Sequence, residues 1–238
     1  MDINVIYEDE NLIVINKPAG LLVHSAPGRE EETLVDWLGI NFPEIQDVGD
    51  IPADKQVTVR RPGIVHRLDK DTSGIMLIAR NQEYFEYLKG LFRDKKITKT
   101  YRAIIRGKLK EKEGTIDVPI SIKSGTIKRT AHKGKDAKEA ITDYRVLKEF
   151  ENFSYIEAMP KTGRTHQIRV HLNSIGHPVV GDKLYGGKEN ASLANRQMLH
   201  AYSLEFSLNV SKSTKLVADL PLDFEEFLQT LEKETSLA

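Results

Sequence analysis

Four strand-like runs crowd the stretch from Lys99 to Pro160, and they limit the fold more than any other feature. "KTYRAIIRG", "TIDVPI", "AITDYRVLKEF" and "FSYIEAMP" are rich in β-branched and aromatic residues, the side chains that fit a pleated surface. They are joined in the main by short connections. A parallel neighbour needs a crossover of a dozen or more residues, so the pattern predicts a mixed, largely antiparallel sheet and an α+β protein. A chain of 238 residues can bury a sizeable core around such a sheet. The expected organisation is one domain over residues 1–238, with helices flanking the sheet.

The rest of the chain fits around that sheet. "NVIYEDENLIVINKP" reads as two short strands about an acidic turn, stopped by Pro18 and Gly20. "ETLVDWLGINF" predicts a short helix with Thr33 as N-cap, and "NQEYFEYLKGLFRDKK" an amphipathic helix with Tyr84, Leu88 and Leu91 on one face. Residues 43–60 have no clear period and predict a mobile loop. Within 161–178, Ile168, Leu172 and Ile175 form an apolar helical stripe that leaves His166, Arg169 and Asn173 on the opposite, polar face. No apolar run approaches the roughly 18 residues of a membrane span, and the acidic start is unlike a secretory signal, so a cytoplasmic location is expected. The absence of cysteine excludes disulfides, thiolate zinc sites and cysteine nucleophiles.

Between the interior-like runs "GIV" and "GIMLIA" stand His66, Arg67, Asp69, Lys70 and Asp71. An ordinary surface turn with an Arg67–Asp69 ion pair would account for them. "DTSG" is a poor match to the aspartic-protease turn, which follows an apolar strand where this one follows Asp69 and Lys70. Ser73, His66 and Asp69 lack the strained G-x-S-x-G elbow of a hydrolase triad. His166 and His171 fall on different faces of a helix and make no metal pair. That leaves an acid acting alone.

"HRLDKDTSG" resembles the HRLD-x-x-TSG signature of the RluA-type pseudouridine synthases. "VINKPAGLLVH", "KTYRA", "TGRTHQIRVHL", "GHPVVGDKLYG", "LHA" and "ADLPLDF" resemble other motifs of that family in the same order, over nearly the whole chain. The resemblance implies the pseudouridine synthase fold, with a central active-site cleft, and isomerisation of uridine in structured RNA, ribosomal or transfer, without cofactor or metal. It implies that Asp69 is the catalytic residue, that Tyr101 packs against the target base, and that Arg169 pairs with the aspartate. Arg67 would help displace the base from the RNA. Many relatives carry an S4-type RNA-binding domain before the first motif; this chain begins almost directly with that motif, so no such domain is expected.

These residue types suit the reaction. A carboxylate can serve as nucleophile or base at the sugar and later help remove the carbon-5 proton. Burial favours its neutral form, and a nearby guanidinium reverses that bias. A tyrosine offers a flat ring to a flipped uracil, whose extraction costs a few kcal/mol of stacking. Lys+Arg and Asp+Glu balance at 35 each, yet the basic residues cluster. Residues 93–112 are strongly basic, and 121–138 set Lys123, Lys128, Arg129, Lys133, Lys135 and Lys138 against Asp136 alone. Lys123, Lys128 and Lys133, with Arg164 and His166 of the third motif, are therefore candidates for contact with RNA. Two other readings stay open: a catalytically silent RNA-binding protein on the same fold, and a hydrolase using Asp69 with Asp71.

Overall fold

The computed structural model describes residues 2–25, 31–50, 61–123, 125–126, 128–132, 134–209 and 212–236. The chain forms two compact units, Met1–Ile97 with Ser203–Asp219, and Thr98–Tyr202 with Leu220–Ala238. In the first, β1 (Asn4–Glu8) and β2 (Leu12–Lys17) form a hairpin. Asp9 ties its turn by accepting the Asn11 and Leu12 N–H groups, both at 2.8 Å. The helix α1 (Leu34–Asn41) starts at Thr33, which forms a capping box with Asp36. Strand β3 (Ser73–Ala79) is buried along its length and pairs antiparallel with β2. It reads as a continuous apolar run because neither of its faces meets water. Helix α2 (Gln82–Arg93), capped by Asn81, buries Phe85, Leu88 and Leu91. Phe85 thus takes the place expected of Tyr84, which is half-buried and donates its hydroxyl to the Leu208 carbonyl at 3.2 Å.

The second unit contains β4 (Thr98–Arg106), β5 (Glu113–Asp117), β6 (Ile120–Ile122), β7 (Arg129–Thr130), β8 (Lys135–Lys138), β9 (Ile141–Glu149) and β10 (Phe153–Pro160). Strand β10 lies between β4 and β9, with β5 beyond β9, all antiparallel as the short connections require. "TIDVPI" is split between β5 and β6 at Pro119, which has no N–H to give a ladder. A separate small sheet has the order β7-β6-β8. Helices α3 (Gln167–Ser174) and α4 (Gly187–Ala191) follow. Strand β11 (Leu199–Asn209) begins in this unit and continues into the first, where it pairs with β12 (Lys212–Val217). Helix α5 (Leu222–Ser236) returns to the second unit and packs Phe224 and Leu231 with Ile104, Val180 and Met198.

The α+β class with a mostly antiparallel sheet is therefore as expected. Two local readings change. The helix in 161–178 is short, and Gln167 through Leu172 are all buried, so it has no polar outer face over that span. Arg169 is 6% exposed and Ile175, beyond the helix end, is 38% exposed, the reverse of the amphipathic expectation. Part of the expected loop, Pro43–Ile45, is a 3-10 turn; residues 51–60 lie outside the described residues.

Candidate active site

Asp69 sits in the segment that leads into β3. Gly63 (φ +65°) passes so close to that strand that an added Cβ would meet the Ala79 carbonyl oxygen at 2.4 Å, which only glycine permits. Its own carbonyl accepts the Ala79 N–H at 2.9 Å. His66 Nε2 accepts the Leu77 N–H at 2.9 Å, and the ring stacks on Phe92 with centroids 4.6 Å apart. Lys17 secures the far side. It is fully buried, and its ammonium donates to the carbonyl oxygens of Pro18 (2.7 Å), Leu21 (2.9 Å) and Lys70 (3.0 Å). Three donors meeting three acceptors make that burial tolerable. The Thr72 N–H donates to the Asp69 carbonyl at 3.1 Å. Leu68 is buried, Asp69 is half-buried and Arg67 is exposed.

In the second unit, Tyr101 on β4 lies opposite Ala158 of β10, half-buried against the cluster that holds Ala103, Ile168 and Leu172. Arg169 forms a two-bond pair with Asp182, Nε to Oδ2 at 2.7 Å and Nη2 to Oδ1 at 2.9 Å, over the Tyr185 ring at 5.2 Å. Asp182 Oδ1 also accepts the Leu184 and Tyr185 N–H groups at 2.9 and 3.1 Å. Burial alone would push the Asp182 carboxyl up; Arg169 and these two N–H groups outweigh it and hold the carboxyl below its usual range. His166 precedes α3 in a left-handed conformation (φ 57°), and its Nδ1 shares a hydrogen bond with the Tyr185 hydroxyl at 2.8 Å. The same hydroxyl accepts the Arg129 N–H at 3.1 Å.

Gln167 fixes the turn before α3. Its side-chain oxygen accepts from the Thr162 hydroxyl (2.7 Å) and the Arg164 N–H (2.9 Å), while its nitrogen donates to Ile141 (2.9 Å) and Thr142 (3.0 Å). Arg164 is exposed and donates from Nε to the Glu139 carbonyl at 2.9 Å. Lys123 and Lys128 are exposed at the β6–β7 turn; Lys133 lies outside the described residues.

The expected site residues thus fall into two groups. Arg67 and Asp69 share one loop of the first unit; Tyr101, Arg164, His166 and Arg169 belong to the second. Lys17, Gln167, Asp182 and Tyr185 were not singled out from sequence, although Asp182 and Tyr185 stand in "GHPVVGDKLYG". Among the described residues no group of three or more His, Asp or Glu is arranged to hold a metal ion, and no helix is long and apolar enough to cross a membrane.

Residues 11–174 match the RNA pseudouridylate synthase family. The chain is 38% identical over 234 residues to the RNA pseudouridine synthase YlyB of Bacillus subtilis, covering 98% of this chain and 74% of that one. It is 35% identical over 235 residues to the ribosomal large subunit pseudouridine synthase D of Borreliella burgdorferi, covering 99% and 70%. The solved structure of human RNA pseudouridylate synthase domain containing 4 matches with a TM-score of 0.75 and 27% identity, over 96% of this chain and 93% of that one. Fold, motif order and sequence agree: the chain belongs to the RNA pseudouridine synthase family, isomerases that turn uridine into pseudouridine within RNA.

Proposed function

We propose that Asp69 carries the isomerisation and that the RNA is ribosomal. The observation behind the first part is the Asp69 loop itself: buried Lys17 and half-buried His66 anchor its backbone on either side, while the Asp69 side chain keeps partial exposure. The reaction breaks the bond from uracil nitrogen 1 to the ribose, turns the base, and forms a bond from the same ribose carbon to carbon 5. The carbon-5 proton leaves and a proton returns to nitrogen 1, so composition is unchanged. The Asp69 carboxylate acts at the sugar and then assists that proton's removal. Tyr101 packs against the turned base, Arg169 supplies the cation for the Asp69 carboxylate, and exposed Arg67 fills the space the base leaves. A relative's designation as a large-subunit enzyme supports ribosomal RNA, and such an enzyme works in the cytoplasm.

The two basic segments differ in their commitments. In 93–112, Arg93 pairs with Asp94, Arg102 with Glu157, Arg106 with Glu189, and Lys112 with Glu149. In 121–138, none of Lys123, Lys128, Arg129, Lys135 and Lys138 has an ion-pair partner among the described residues. That contrast favours the second segment, with Arg164 and His166 beside it in the same unit, as the one that meets phosphates.

Asp69→Asn keeps size and removes charge, so it should abolish pseudouridine formation while RNA binding stays within a few-fold of wild type. Near-normal turnover by this variant would overturn the assignment. Mapping pseudouridine in RNA from cells with and without the gene tests the substrate. Loss confined to transfer RNA would reject the ribosomal part.

A further inference from the structure

The first unit treats its arginines unequally. Arg80 is paired with Glu8 and Glu44, and Arg93 with Asp94. Arg61 and Arg67 are exposed and have no carboxylate partner among the described residues. Arg61 is held instead by a neutral ring, its Nη2 donating to His24 Nε2 at 2.9 Å. An arginine can only donate, so His24 Nε2 carries the lone pair and its proton is on Nδ1. That Nδ1 is buried without a hydrogen-bond partner among the described residues. The ring thus keeps its acceptor turned to Arg61 and not its donor.

Electrostatics describe the same cluster. Burial, then the charges of Arg61 and Arg67, push His24 down to about 4, so it remains neutral wherever RNA is handled. Burial and the nearby Arg67 charge also lower Arg61 from its ordinary value. Two guanidinium groups that feel each other, one of them fixed in place and neither with a carboxylate partner among the described residues, form a site for an anion. Arg67 is two residues from Asp69, so that anion belongs next to the reacting nucleotide.

We propose that Arg61, oriented by His24 and assisted by Arg67, binds a phosphodiester of the RNA strand, and that His24 is a positioning residue for this contact. The proposal rests on RNA being the substrate. A planar guanidinium can give two parallel N–H groups to phosphate oxygens, and the bond to His24 occupies only one of five donors.

The test measures binding of oligouridylate and of ribosomal RNA against salt concentration. Each phosphate contact on single-stranded RNA contributes about 0.7 to the slope of log affinity on log salt, so Arg61→Gln should flatten the slope by about that amount. It should also weaken binding about tenfold at low salt and raise KM more than it lowers kcat. His24→Phe keeps a ring but removes the acceptor, and it should weaken binding by a smaller factor. If His24 acts through Arg61, adding His24→Phe to Arg61→Gln should change nothing further. An unchanged slope in Arg61→Gln, or a full His24→Phe effect in the Arg61→Gln background, would overturn the proposal. Pseudouridine formation by the wild type is assayed in parallel: its absence rejects the enzymatic reading, whereas an active wild type with an unchanged Arg61→Gln slope rejects only the phosphate site.

Discussion

The loop around Asp69 and the segment around Arg169 both carry charge, and they are built in opposite ways. In the first, buried or half-buried groups grip the backbone: Lys17 reaches the Lys70 carbonyl and His66 the Leu77 N–H, while the charged side chains stay partly or wholly exposed. In the second, the charged side chain is itself gripped. Arg169 is 6% exposed and bonded twice to a fully buried Asp182. A group that must meet a substrate atom needs a rigid base and a reachable tip. A group that only sets the local field can be buried with its counter-charge.

The largest effect is expected from breaking the second arrangement. Asp182→Asn preserves shape but removes the carboxylate charge that takes two bonds from the buried Arg169 guanidinium, which should cost about 3–5 kcal/mol in denaturant unfolding. Asp182 is held below its usual pKa, so the stability it contributes is complete above the unfolded-state carboxylate value of about 4 and is lost as pH falls through the folded value. Asp182→Asn should therefore lack that portion of the acid sensitivity. A variant as stable as wild type at neutral pH would mean that the pair is not what holds α3.

Lys17→Met tests the first arrangement. It deletes three bonds to carbonyl oxygens but also removes the need to bury an ammonium, so the net loss should be smaller, about 2 kcal/mol. Because the Lys70 carbonyl loses this donor, kcat should fall further than the change in folded fraction explains. Unfolding curves and turnover measured on the same preparation separate the two. Full turnover at reduced stability would make Lys17 a core residue without influence on Asp69. The smallest effect belongs to the β6–β7 turn. Replacing Lys123 and Lys128 together with Gln should change stability by less than about 0.5 kcal/mol, as surface substitutions do. It should flatten the salt dependence of RNA binding by about 1.4, two contacts at 0.7 each. An unchanged slope would remove this turn from the RNA interface.

What sequence disclosed follows from which forces are local. Thr33 with Asp36, and Asn81 before α2, are capping signals contained within a few residues, and both helices begin where those signals stand. Strands β4, β9 and β10 follow the runs read as strands because β-branched and aromatic content is likewise local. Around α3 the local pattern misled. A helix buried on every side over Gln167–Leu172 has no polar stripe to reveal, and its Arg and His are there because Asp182, Thr142 and the Val118 carbonyl satisfy them from distant positions. Lys17 is concealed for the same reason. A lysine beside a Pro-Gly turn looks solvated until its partners, one of them 53 residues away, are known. Motif resemblance pointed to Asp69, Tyr101 and Arg169, and it carried no information about what secures them.

Strand β11 has a consequence for the order in which the protein can be made. The first unit takes in Met1–Ile97 and then Ser203–Asp219, so its sheet is completed by residues that leave the ribosome more than a hundred positions after its first part. Strand β3, "SGIMLIA", has β11 as its second neighbour. Between Ala79 and Leu199 the growing chain must add the greater part of the second unit, a delay on the order of ten seconds at 5–20 residues per second. Throughout that interval the part of this strand's second edge that Gly63 and His66 do not cap is open to any other nascent chain. The step most exposed to mispairing is therefore the synthesis of the chain itself, in the interval before Leu199 emerges.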